Sequence, residues 1–345
     1  MTHGLEFWWD SAPELIERER AGWEGTGPFG PFRGVTTNPM LLLAACEHLP
    51  ARGRDGGDGW DLYLACASRS ADYLAARGLS IPFCVQLDPR SAFDTEAMLR
   101  QAAEILDRIP TAMIKVPQTS AGLDAMHALA SAGTPINATW GFSVAQLVAA
   151  ARVLADAVRA RPATAPRARY VLTLMEGRLG DLGLHDELGG DSRLVRAAEC
   201  VVFEAAYESL RPYRDVATLL ASSLRTGPDD GYCWHYGSKA GKDVILTLPP
   251  PFLREQGLPF PGVDYGRVDD TSLDAVLGCE LVRRYAAEDG FRPHEFDRLP
   301  SMTKTRAEVT RAIESFEDLA LQWTASTSSP TSTTSTTPTA RITAS

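Results

Sequence analysis

Ala112-Met-Ile-Lys-Val-Pro117 is a short apolar run broken by a single charge. The chain has only four lysines (Lys115, Lys239, Lys242 and Lys304) among 34 basic residues, so its default cation is arginine and a lysine in this position is not routine surface charge. Alternation along a strand of a closed barrel points Lys115 to the interior. An ammonium group there is costly unless paired, and burial lowers its pKa toward that of a free amine. Such a residue is either a lysine able to form a Schiff base or a structural partner for a carboxylate such as Asp10. The residue alone leaves both readings open.

Outward from this run, seven further strands are expected at 5–10, 33–38, 81–88, 135–140, 167–174, 217–223 and 244–248, with the lysine strand fourth, at 111–116. Helical stretches separate them. One opens at Ser11-Ala-Pro-Glu14 with an S-x-x-E capping box, and others cover about 60–77, 94–108, 121–132, 143–161, 194–210, 272–288 and 303–323. Alternating strands and helices specify a parallel α/β fold, either a doubly wound open sheet or a barrel. The strand ends discriminate between them. Each carries a polar group: Asp10, Asn38, Gln86 with Asp88, Lys115, Asn137 with Thr139, Thr173, Ser223 with Arg225, and Thr247. In a barrel these ends converge on one mouth, whereas an open sheet would spread them along an edge. An (α/β)8 TIM barrel with additional C-terminal helices is therefore expected.

The 345 residues are 44% hydrophobic and 23% charged, as in a folded globular chain. Residues 1–323 are read as one barrel domain. Residues 324–345, almost wholly Ser, Thr, Ala and Pro, are read as a disordered tail, and Gly53–Gly59 as a surface loop. The net charge of −10 offers no basic face to nucleic acid or an anionic membrane, so an anionic substrate would need local arginines. Six scattered cysteines lack any metal-ligand spacing, and Cys46, Cys66 and Cys84 fall in apolar runs as buried thiols. Without a targeting segment or a membrane-length apolar run, a cytoplasmic location is expected.

Three motifs resemble the transaldolase family in order and spacing: Gly34-Val-Thr-Thr-Asn-Pro39, Met113-Ile-Lys-Val-Pro117 and Ile136-Asn-Ala-Thr-Trp-Gly-Phe-Ser-Val-Ala-Gln146. Trp9-Asp10, Asp88-Pro-Arg-Ser-Ala-Phe-Asp94 and Gly177-Arg178 match as well, so that the similarity spans about residues 5–255. The resemblance implies an (α/β)8 barrel and cofactor-free, metal-free class I aldol chemistry. It assigns Lys115 to the imine with the donor ketose, Asp10 to the proton of the donor C4 hydroxyl, and Thr139 to the catalytic water. Asn38 and Asn137 correspond to ligands of substrate hydroxyls, for which a satisfied buried amide is the structural alternative. Thr173 is grouped with the substrate contacts. Arg178 and Arg225, with Ser223, fall where the family binds the substrate phosphate, and guanidinium forks suit phosphate geometry.

The departures matter as much. Gln86 occupies the place of the glutamate that usually polarises the catalytic water, and an amide cannot exchange a proton at neutral pH. The fructose-6-phosphate aldolases also have Gln there, paired with a tyrosine on the sixth strand; here that position is Met175. Trp140-Gly141 replaces an aliphatic pair. The segment Arg225–Lys242, with Cys233 and His235, is unlike the family and reads as a surface loop, with a lid or a remodelled substrate loop as alternatives. The expected function is transfer of a dihydroxyacetone unit between sugar phosphates, with aldolase-like release of that unit, or a catalytically impaired sugar-phosphate-binding barrel, as alternatives. The expected partner is a small-molecule sugar phosphate, with no nucleic acid or membrane, and the expected state is a monomer or homodimer.

Overall fold

The computed structural model describes residues 4–19, 22–25, 30–46, 58–225, 234–239, 241–254 and 270–327. Eight strands pair in sequence order and close on themselves: β1 Glu6–Asp10, β2 Phe32–Thr36, β3 Phe83–Gln86, β4 Ala112–Pro117, β5 Ile136–Gly141, β6 Tyr170–Met175, β7 Ala217–Ser222 and β8 Ile245–Leu248. Every pairing is parallel, including β1 with β8. This is the (α/β)8 barrel expected from the strand ends.

Helices α1 Pro39–Cys46, α2 Gly59–Ala76, α3 Thr95–Arg108, α4 Ser120–Ala132 and α5 Val144–Ala160 surround the first strands. Next come α6 Leu184–Glu187, α7 Ser192–Ser209, α8 Trp234–Gly237 and α9 Pro250–Arg254, then α10 Asp270–Gly278, α11 Glu280–Ala286, α12 Pro293–Phe296 and α13 Pro300–Thr327. Side-chain caps start the longer barrel helices, with Asp94, Thr119 and Ser143 accepting from the N–H of Ala97, Gly122 and Gln146 respectively. No helix among the described residues is long and apolar enough to cross a membrane.

The inner face follows the two-residue period of a strand. Trp8, Cys84, Met113, Val171, Leu220 and Ile245 form one buried apolar cluster. Two residues further along each of those strands stand Asp10, Gln86, Lys115, Thr173, Ser222 and Thr247, which line a cavity at the C-terminal mouth. Trp8 plugs the space below them. It fits only because β2 carries Gly34, where a Cβ would meet the indole at 2.4 Å.

Several local expectations change. The segment after Ser11 is a 3-10 helix, Pro13–Glu19, and Glu14 accepts from the Ser70 hydroxyl at 2.9 Å, so no capping box forms. Asn38 and Pro39 begin α1, a helix without a counterpart in the sequence reading. Its apolar residues carry no periodic pattern to distinguish it from a strand-like run. The single helix expected over 272–288 is two, α10 and α11, divided at Cys279, whose backbone is extended. Helix α13 runs to Thr327, past the expected domain end at 323, and the remainder of the Ser/Thr-rich tail lies outside the described residues. So does most of the Gly53–Gly59 loop. Cys46, Cys66 and Cys84 are buried as expected, with Cys46 Sγ facing Cys66 Sγ at 2.9 Å.

Candidate active site

Strand register places the chemistry. Lys115 stands opposite Gln86 on β3 and Asn137 on β5. Its ammonium group donates to the Thr37 carbonyl at 2.8 Å and the side chain is only 7% exposed. Burial holds its pKa below the usual lysine range, opposed by the neighbouring Cys84 and Asp10. Asp10, at the end of β1, accepts from the Thr36 hydroxyl at 2.6 Å. Burial pushes its carboxyl above the ordinary aspartate range, against the Thr36 bond, the Lys115 charge and the Thr247 hydroxyl.

Asp10, Asn38, Gln86, Lys115, Thr139, Thr173, Arg178 and Ser223 converge on one cavity of about 110 Å³. Among the described residues Lys115 is its only lysine and Asp10 its only carboxylate. Asn38 Oδ1 accepts from Leu41 N–H at 3.0 Å and caps α1, which leaves its amide NH₂ for a ligand. Asn137 lies outside the cavity lining. Its Oδ1 accepts from the Thr173 hydroxyl at 2.6 Å and its Nδ2 faces Cys84 Sγ at 3.5 Å. Gln86 is held by its backbone, with the Tyr63 hydroxyl donating to its carbonyl and accepting from its N–H, both at 3.0 Å. Its buried Nε2 has no partner among the described residues, so an unused donor is sealed into the site.

The residues that the resemblance assigns to the phosphate are less simply placed than the motif implied. Arg178 lines the cavity, but its guanidinium pairs with Glu308 at 2.7 Å and Asp181 at 3.3 Å. Arg225 is exposed and does not line the cavity. Its Cγ lies 2.8 Å from where a Gly177 Cβ would stand. Ser223 does line it, with a φ of 58° that is rare for a residue with a side chain. Among the described residues Trp140, φ 60°, is the other such residue. It sits where the β5–β6 register slips between Ala138 and Gly141, and it lines the cavity.

Sequence reasoning missed Thr36, Thr305 and Val309. Thr36 was detectable, since it lies two residues beyond Gly34 on the inward face. Thr305 and Val309 reach the cavity from α13, and no local pattern near them announces a barrel mouth. The reading of Arg225–Lys242 as a surface loop is corrected where it is described. His235 and Lys239 are completely buried, because acidic partners distant in sequence, Glu199 and Glu176, receive them. Cys233 lies outside the described residues. Glu176 and Asp88, the other carboxylates near strand ends, are engaged elsewhere, with Lys239 and with Arg90.

A buried lysine and an aspartate face a common cavity at the C-terminal mouth of a parallel barrel, the end at which barrel enzymes place their chemistry. The family model described as Transaldolase/Fructose-6-phosphate aldolase matches residues 25–257, and the chain belongs to that family. A transaldolase of Thiobacillus denitrificans is 27% identical over 81% of this chain and 90% of its own length. One of Mycobacterium bovis is 28% identical over 81% and 88%. A Mycolicibacterium smegmatis transaldolase is 36% identical, over only 32% of this chain and 35% of the relative.

Proposed function

We propose that the enzyme transfers a dihydroxyacetone unit between sugar phosphates through an imine on Lys115. The observation that carries this reading is that the cavity's only described lysine and only described carboxylate, Lys115 and Asp10, share its wall. The depressed pKa of Lys115 supplies free amine for attack on the ketose C2 carbonyl, with loss of water. The carbon–carbon bond between C3 and C4 then breaks, its electron pair passing into the protonated imine. The C4 hydroxyl proton goes to Asp10 and an aldehyde departs. An acceptor aldehyde is attacked by the resulting enamine, Asp10 returns the proton to the new hydroxyl, and water releases the ketose. Thr139 and Gln86 are suited to hold that water, and Asn38 and Thr173 to meet substrate hydroxyls. Ser223 and Arg178 face the phosphate end.

Borohydride reduction in the presence of fructose 6-phosphate, followed by intact mass and peptide mapping, tests the reading. One adduct per chain is expected, on Lys115, and Lys115→Met should abolish it without unfolding, since the two side chains are close in volume. An adduct on Lys239, Lys242 or Lys304 would overturn the site. The other lysines are occupied: Lys239 with Glu176 at 2.6 Å, Lys242 with Glu204 at 2.9 Å and Lys304 with Asp181 at 3.2 Å. Product analysis with and without erythrose 4-phosphate separates transfer from simple aldol cleavage, the reading that Gln86 favours.

A further inference from the structure

Behind the cavity, outside its lining, five ionisable side chains meet in the interior: Glu176, Arg196, Glu199, His235 and Lys239. They come from the turn after β6, from α7 and from the short segment 234–239. Glu176, Glu199, His235 and Lys239 have no exposed surface. Lys239 pairs with Glu176 and lies 3.7 Å from the Phe203 ring centroid. Arg196 pairs with Glu199. Burying so many charges does little for stability, because a well-packed apolar cluster serves as well or better. What an apolar cluster cannot do is hold specified backbone groups at fixed positions.

Two backbone groups are held in this way. Glu199 Oε1 accepts from Gly180 N–H at 3.1 Å, two residues beyond Arg178. Glu199 Oε2 faces His235 Nε2 at 2.8 Å, and His235 Nδ1 accepts from Arg225 N–H at 3.0 Å. Because Nδ1 is an acceptor, the ring proton resides on Nε2 and is donated to Glu199. Burial keeps the imidazole neutral, with its pKa lowered to about 3, so that Nδ1 remains an acceptor. An unbroken chain of three hydrogen bonds therefore joins the turn bearing Arg178 to the turn bearing Arg225.

We propose that Glu199 and His235 form a strut that sets the separation of these two turns, and so positions the mouth for the anionic, phosphate-type group of the substrate. This rests on the phosphate-binding part of the function proposed above. Both are positioning residues, since neither touches the cavity. The tight contact at Gly177 agrees with a fixed separation: a Cβ there would come within 1.9 Å of the Ser223 carbonyl oxygen.

The test compares wild type with His235→Phe, which removes both ring nitrogens, and with His235→Asn, whose Oδ1 can still accept near the Nδ1 position. Calorimetric titration with inorganic phosphate and steady-state kinetics on fructose 6-phosphate and on fructose are read for each. His235→Phe should raise the phosphate Kd and the fructose 6-phosphate KM by about tenfold, as expected for displaced binding groups. The fructose KM should stay within twofold, and His235→Asn should recover part of the loss. Should His235→Phe fail to fold, the isosteric Glu199→Gln, which cannot accept from both Gly180 and His235, takes its place with the same expectation. An unchanged phosphate Kd, or equal losses on both donors, overturns the strut. Wild type that binds no phosphate overturns it together with the phosphate part of the function, whereas imine trapping on Lys115 reports the aldol part separately.

Discussion

Lys115 and Asp10 shift each other's protonation, and the sign of that coupling is open to measurement. The aspartate anion favours the ammonium form of Lys115, so Asp10→Asn removes one of the influences that raise the lysine pKa. Borohydride trapping followed against pH should therefore show its midpoint moving to lower pH in Asp10→Asn, while carbon–carbon cleavage falls for want of a proton acceptor. A midpoint that moves upward would mean the two groups do not interact as placed. Gln86 permits a second expectation. With no carboxylate other than Asp10 at the described cavity wall, Gln86→Glu adds a proton acceptor where the proposed function places the water. General acid–base assistance is worth about 10²–10⁴-fold where it operates, and Gln86→Glu should raise turnover of fructose 6-phosphate with erythrose 4-phosphate. A slower variant beside an already fast wild type would show that another group carries the proton. Lys115 was legible in the sequence because strand parity fixes inside from outside. Arg178 and Arg225 were legible only as positions, since a residue just past a strand end has no parity to aim it.

At the level of elements, the end of β6 and the end of β7 approach so closely that only glycine fits between them. Gly177→Ala would drive a methyl group against the Ser223 carbonyl, which is backbone and cannot rotate aside. Overpacking of this kind costs about 1–3 kcal/mol, so a lower Tm by scanning calorimetry is expected, along with a raised KM for a phosphorylated donor as the turns part. An unchanged Tm would mean that β7 yields easily. Strands and barrel helices were readable from apolar runs, caps and prolines, all of which are local. The burial of His235 and Lys239 was not. An ionisable residue in a segment rich in glycine and polar residues looks solvated until its partner is known, and Glu199 and Glu176 lie 36 and 63 residues away. Helix α1 is different, an apolar run without a period to mark it as helical, and α10 and α11 read as continuous because nothing local announces the extended backbone at Cys279.

Over the whole molecule, α13 ties the C-terminal part of the chain to the site. It packs against α1 and α2, supplies Thr305 and Val309 to the cavity, and pairs Glu308 with Arg178. Its Phe316, wholly buried, meets the Tyr63 ring edge-on at 5.8 Å, and Tyr63 in turn holds the backbone of Gln86. Phe316→Ala should cost about 3–5 kcal/mol of stability, as for other buried phenylalanines, measured by denaturant unfolding. Loss of activity under conditions where the variant remains folded would show that the buttress reaches Gln86, and intact kinetics would show that it does not. Asp10 belongs to the first strand and Thr305 to the last helix, and β1 must find β8 before the barrel can close. A chain emerging from the ribosome therefore exposes Lys115 long before the cavity that will enclose it exists. The pocket around that lysine is thus assembled from the two ends of the described chain, and it closes only after β8 and α13 have followed β4 out of the ribosome.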